Sequence, residues 1–143
     1  TMAHFAEVEV DIETGKVTVL KFVAAHDSGK IINAGIAENQ VSGGVFQGAG
    51  FALVEDLIFD ETGKVLNPTY MDYKILTALD LPDPEIIFVE PIDPLGAFGV
   101  KGLGEGVACP APAAIADAVY NAIGKRIDVP ITPDKVLRAL GKI

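Results

Sequence analysis

The run Gly99-Val100-Lys101-Gly102-Leu103-Gly104-Glu105-Gly106 puts four glycines into eight residues and leads into Pro110-Ala111-Pro112-Ala113-Ala114-Ile115-Ala116. Prolines lose no hydrogen bond in the first turn of a helix, and Gly124 supplies a left-handed stop, so a helix is expected over 110–123. The residues before it cannot be regular structure. Glycine tolerates positive φ and lets the backbone come close to a bulky neighbour, so Gly99, Gly102, Gly104 and Gly106 frame the lone carboxylate Glu105 in a loop. Two readings follow: an ordinary turn carrying a solvated carboxylate, or a base held beside a large anionic ligand that also meets the N–H groups of a helix end.

A second glycine cluster lies in a helical pattern from about Ile36 to Glu55, which contains Gly43, Gly44, Gly48 and Gly50. Each interior glycine costs a helix roughly 1 kcal/mol relative to alanine. Another backbone, or a ligand, should therefore pack very close to it, with helix-on-sheet packing the simpler expectation. Before it, Ala6, Val8, Val10 and Ile12 alternate with Glu7, Glu9 and Asp11, which reads as a half-buried strand. Glu13-Thr14-Gly15-Lys16 supplies a turn into the β-rich run Val17 to Ala25, giving a hairpin. Leu57-Ile58-Phe59 and Lys64-Val65-Leu66 suggest a second hairpin around Asp60-Glu61-Thr62-Gly63. One helical turn near Tyr73 to Ala78, a strand over 85–90 and a short last helix over 133–140 capped by Thr132 complete the pattern. The expected fold is α+β: a hairpin-rich mixed sheet packed against a Gly-rich helix and a C-terminal helix pair, as a single domain over residues 1–143.

Half of the 143 residues are hydrophobic and 22% are charged, which suits a packed core with apolar surface to spare. The net charge of −9 and the scattered Lys and Arg exclude nucleic acid and anionic membranes as partners. Cys109, the only cysteine, makes no internal disulfide; a small buried apolar role is expected for it rather than a metal thiolate. His4 and His26, far apart in sequence, do not suggest a metal site. His26 is expected to be a satisfied core or edge residue, and Asp27, Asp72 and Asp117 to be turn or cap carboxylates. Thr1-Met2-Ala3-His4 lacks the basic start and apolar segment of a signal peptide. With no apolar run near the roughly 20 residues of a membrane span, a cytoplasmic protein is expected.

Several motifs recur in a recognisable order: Asp27-Ser28-Gly29-Lys30-Ile31-Ile32-Asn33, Asn39-Gln40-Val41-Ser42-Gly43-Gly44, Asn67-Pro68-Thr69-Tyr70, the Gly104-Glu105 loop and Pro130-Ile131-Thr132-Pro133. Together they resemble the C-terminal part of the molybdenum-binding chain of the xanthine dehydrogenase/aldehyde oxidase family, over about residues 5–140. The resemblance implies a molybdopterin cofactor, with or without a cytosine dinucleotide extension, and oxidative hydroxylation of a heterocycle or aldehyde with oxygen from water. It implies that Glu105 is the general base and that Gln40, Gly43, Gly44, Lys101, Gly102, Gly104 and Gly106 contact the cofactor, with no protein ligand to the metal. For Gln40 a solvent-facing position near a helix N-terminus stays open beside this role.

Chains of that family are several times longer, so the sequence reads as a small subunit or as a piece of a larger polypeptide. Alone it should hold no molybdenum, show no activity, and expose an apolar face near the Gly43–Gly48 helix or the 99–106 loop, so that it self-associates or has disordered loops there. The expected partners are the remaining molybdenum-binding domains and iron–sulfur and FAD subunits, because one cysteine cannot hold a cluster. The competing expectation is a structural or binding module that keeps the fold without the reaction. A dinucleotide fingerprint fails at Val107, where its third glycine belongs, and a phosphate-binding P-loop lacks Gly-Lys-Ser/Thr.

Overall fold

The computed structural model describes residues 1–143. Strand β1 (Met2–Val10) alternates as its sequence dictates, with His4, Ala6, Val8 and Val10 turned inward and Phe5, Glu7 and Glu9 outward. It pairs antiparallel with β2 (Val17–Asp27), from Val10 opposite Val17 to Met2 opposite His26, with one irregularity between Glu7 and Val8. Asp11 builds the connecting turn: its Oδ1 accepts the N–H groups of Glu13 and Thr14 at 2.8 and 3.2 Å. These bonds hold the Asp11 carboxyl below the usual carboxylate range. Gly15 completes the turn at φ 78°, where a Cβ would come within 2.2 Å of the Pro133 carbonyl oxygen.

The third strand, β3 (Glu85–Val89), runs parallel to β2 from Val23 opposite Glu85 to Asp27 opposite Val89, giving a mixed sheet in the order β1-β2-β3. Only one of the two expected hairpins forms strands. The other shrinks to a bridge between Phe59 and Val65 with two backbone bonds across it, Asp60 N–H to Lys64 O and Leu66 N–H to Ile58 O, around a turn in which the Asp60 carboxylate accepts the N–H groups of Thr62 and Lys64. The helical turn expected near Tyr73 to Ala78 is also absent. Tyr73 instead donates its hydroxyl to Glu55 Oε2 at 2.8 Å, and Thr77 and Asp80 bond each other, so side chains take over the local polar groups.

Helix α1 (Ala34–Leu53) starts two residues earlier than its apolar pattern because Asn33 caps it, its Oδ1 accepting Ile36 N–H at 3.1 Å. It ends where the Gly50 carbonyl accepts both Val54 and Glu55. Helix α2 (Pro110–Ile123) has the bounds its prolines and Gly124 specify, with Gly124 left-handed at φ 68°. Ala111, Ile115 and Val119 form its buried stripe, and α2 packs against β1 and α1. A Cβ on Gly44 would lie 2.2 Å from Val107 Cγ2, and one on Gly48 would lie 2.7 Å from Ala111 Cβ. Gly44 and Gly48 therefore admit the approach of Val107 and of the start of α2, and their close neighbour is not the sheet. Helix α3 (Pro133–Ala139) follows Thr132, whose hydroxyl donates to Asp134 Oδ1 at 2.6 Å and makes no cap bond to the backbone. Phe22, Val41, Val45, Ile115, Val119 and Val136 are the largest fully buried apolar side chains of the shared core, and Leu53, Leu81 and Ile131 complete it nearer the surface. No helix is long and apolar enough to cross a membrane.

Candidate active site

The chain leaves β3 through Pro91-Ile92-Asp93-Pro94 and returns to the end of β2. There Lys30 N–H donates to Gly99 O and Lys101 N–H donates to Ser28 O, each at 2.9 Å. Gly29 sits at φ 62° directly opposite Val100, and a Cβ on it would meet Gly99 O at 2.4 Å, so only glycine permits this crossing. The Lys101 ammonium closes the junction from the side, reaching Asp27 Oδ1 at 2.9 Å and Oδ2 at 2.6 Å. The hydrogen bond and charge of Lys101 hold the Asp27 carboxyl below the usual carboxylate range.

Beyond Lys101 the chain is open. Gly102 and Gly104 have no atom within 4 Å of where a Cβ would stand. The N–H groups of Gly102, Leu103 and Gly104 have no acceptor in the chain. Gln40, projecting from the second turn of α1, donates Nε2 to Gly104 O at 3.4 Å and thereby touches the residue before Glu105. Glu105 begins a 3₁₀ turn (Glu105–Val107) whose last residue is buried under Gly44. Its backbone oxygen accepts Ala108 N–H and Cys109 Sγ, while its exposed carboxylate has no partner in the chain.

A cleft of about 400 Å³ lies beside this loop, walled by Ile31, Ile32, Ile36, Val100 and Leu103, with Ser28, Asn33, Gln40 and Lys101 among its polar groups. The structure thus gathers Gln40, Lys101, Gly102, Gly104 and Glu105 at one place. Gly43 faces open space on the same helix. Gly44 does not join them; it is buried against Val107, which leaves no face for a ligand. Gly106 is half-buried and backs onto the Met2 side chain. Of the loop glycines only Gly99, at φ 81°, uses the positive region; Phe98 beside it is at φ 57° and lies exposed.

Other residues differ from their sequence reading. Cys109 is exposed rather than buried, since it stands outside the apolar stripe of α2. Asp27 is a turn carboxylate through Gly29 N–H, but its stronger tie to Lys101 spans 74 positions and no local pattern announces it. Asp72 closes its turn with the Thr69 hydroxyl, whereas Asp117 lies within α2 and pairs with Arg126 on the surface. His26 is buried as expected, but it is joined to His4 through their Nε2 atoms at 2.8 Å. Burial, and then the neighbouring His26, push the His4 imidazole down to about 4; burial lowers His26 as well. No group of three or more His, Cys, Asp or Glu side chains is arranged to hold a metal ion.

Comparison with known proteins gives the site a context. Residues 1–82 match the family described as the molybdopterin cofactor-binding domain. The putative xanthine dehydrogenase molybdenum-binding subunit XdhA of Escherichia coli K12 is 45% identical over 134 residues, covering 92% of this chain and 18% of that protein. The aldehyde oxidoreductase molybdenum-binding subunit PaoC of the same organism is 41% identical over 140 residues, covering 96% of this chain and 19% of that protein. Quinoline 2-oxidoreductase from Pseudomonas putida 86 superposes with a TM-score of 0.91 at 40% identity, covering 97% of this chain and 18% of that one. The chain spans less than a fifth of the curated relatives named here. It belongs to the molybdopterin cofactor-binding domain family represented by the molybdenum-binding subunits of xanthine dehydrogenase and aldehyde oxidoreductase.

Proposed function

We propose that this chain forms one wall of the active site of a molybdenum hydroxylase acting on a heterocycle or an aldehyde, and that Glu105 is its general base. The observation that carries this reading is the Glu105 carboxylate itself: exposed, without a partner in the chain, and mounted on backbone that is tied down on either side. A carboxylate used as a turn or cap accepts local N–H groups, as Asp11 and Asp60 do here. Glu105 accepts none.

The surroundings fit a large anionic cofactor. Gly102 and Gly104 leave open space over their backbone, and three successive N–H groups are free to donate to phosphate or pterin oxygens. Gln40 spends one N–H on Gly104 and retains a second N–H and its carbonyl for the edge of a heterocycle. A molybdopterin group, when bound, supplies the two-electron oxidation and the water-derived oxygen. Glu105 contributes a proton acceptor at its carboxylate oxygens. The glycines let it stand against the cofactor, and the apolar cleft of Ile31, Ile32, Ile36 and Leu103 lies on the Lys101–Leu103 side of the same loop. Most of the Lys101 charge is committed to Asp27, so in this reading Lys101 serves the cofactor through loop shape and backbone.

The rest of the molybdenum-binding chain, iron–sulfur and FAD partners, and a cytosine dinucleotide form of the cofactor belong to the same proposal. The single cysteine here places any cluster on other chain segments. The test is Glu105→Gln in the complete enzyme. The amide keeps size and most hydrogen bonding but cannot take the proton, so turnover should fall by at least roughly 10²–10⁴-fold with molybdenum content retained. A Gln variant with parental turnover would remove Glu105 from the chemistry.

A further inference from the structure

Between Lys101 and the buried Val107, the backbone that carries Glu105 includes three glycines, and Gly102 and Gly104 are exposed with nothing packed on them. Such a span holds a carboxylate in one place only if its ends are fixed. The far end is fixed by Val107 beneath Gly44. The near end rests on Lys101, and Lys101 rests on Asp27. Asp27 is the last residue of β2 and lies opposite Val89 of β3, so it is part of the sheet and not of a loop.

We infer that the Asp27–Lys101 ion pair is a positioning device for Glu105, joining the catalytic loop to the sheet across 74 positions of sequence. The inference rests on the reading of Glu105 as the base. Its geometry separates it from an ordinary surface pair. Both Asp27 oxygens lie within 2.9 Å of the ammonium, and the two side chains are 31% and 21% exposed. The Lys21–Glu85 pair, which links β2 to β3, has one contact at 3.1 Å and is 59% and 55% exposed. Exposed pairs of that kind contribute little. The backbone bonds of Lys30 to Gly99 O and of Lys101 to Ser28 O fix the register of the crossing, and the ion pair adds a side-chain tie at Lys101, the last bonded residue before the open glycines. A loop without that tie would still fold and still meet the cofactor, but would hold its carboxylate less firmly in line.

The experiment compares Asp27→Asn, Lys101→Met, their combination, Lys21→Met and Glu105→Gln in the complete enzyme. Asp27→Asn keeps the shape and the acceptor for Gly29 N–H while removing the charge. We expect kcat to drop roughly 10–100-fold, as displacement of a reacting group by about an ångström does. KM should stay within about threefold, because binding is not what the pair supplies. Molybdenum content should be retained, Tm should fall by only a few degrees, as for the loss of one partly exposed pair, and hydrogen exchange at the bonded amides of Gly99, Val100 and Lys101 should quicken about tenfold or more. Lys101→Met should do the same and the double variant no worse, since both remove one tie. Lys21→Met should leave rate and exchange unchanged. Parental kcat or unchanged loop exchange in Asp27→Asn and Lys101→Met, with Glu105→Gln impaired, overturns the positioning role alone. Parental turnover in Glu105→Gln overturns the base and the positioning role with it.

Discussion

Glycine is used in two opposite ways in this domain. Along α1, Gly44 and Gly48 are covered by Val107, Ala108 and Ala111, and any added methyl would collide within 2.2 to 2.7 Å. In the loop before α2, Gly102 and Gly104 have nothing within 4 Å. The first pair is consumed by the protein's own packing and the second faces open space. Both clusters look alike in sequence. What separates them is whether the missing side chain is replaced by protein atoms.

The comparison is broken most sharply from the packed side. Gly44→Leu would have to displace a buried valine and the turn that carries Glu105. It should destabilise the isolated chain by about 1–3 kcal/mol or more, read from the denaturant midpoint. An unchanged midpoint would mean that Val107 does not pack on Gly44.

Acidification tests the same closed region at a smaller amplitude. His4 has its folded-state pKa lowered from 6.5 to about 4, so between those values the unfolded chain binds more protons and stability falls as pH falls. Above pH 6.5 the contribution is fully present; below about 4 no more is lost. Because His4 is only half-buried, the loss through this window should be near 1 kcal/mol, roughly 3–5 °C in Tm. His4→Gln with His26→Gln should flatten that slope, and a slope unchanged by the double substitution would free the pair from blame.

The smallest effect is expected on the open side. Gly102→Ala and Gly104→Ala should leave the stability of the isolated chain within about 0.5 kcal/mol. In the complete enzyme the same methyls should lower molybdenum occupancy, measured per protein after purification. Full occupancy would show that the loop faces solvent there too.

Features set by neighbours in the chain were legible from sequence. Pro110, Pro112 and Gly124 bound α2 because proline and glycine act on their own φ and hydrogen bonds, and the alternation of β1 followed from a period of two. What depends on distant pairing was not. Nothing in Glu85–Val89 reveals that it will run parallel to β2, nor that Asp27 will find Lys101 or His4 will find His26. The glycines at 102, 104 and 106 suggested positive φ, yet their backbone stays outside that region, and at 102 and 104 they supply room instead. Gln40 and Glu105 were named from the order of motifs, but their proximity through Gly104 O required the fold.

Gly15 lies directly beneath the Pro133 carbonyl, and Ile131 N–H donates to Ala52 O at 2.6 Å. The first turn of the domain is thereby buckled to its last helix, with α1 fastened into the same clasp. The span from Asp56 to Pro84 leaves this ring and comes back to it, held to it by the Tyr73–Glu55 bond and the buried Leu81, while Asn67 braces it internally through Asp56 O and Ile58 N–H. Length can therefore change within that detour without unfastening the ring or moving the Gly-Glu loop. Such a detour is where a chain of this fold has freedom to lengthen, shorten or be redecorated while the ring and the Gly104-Glu105 loop stay as they are.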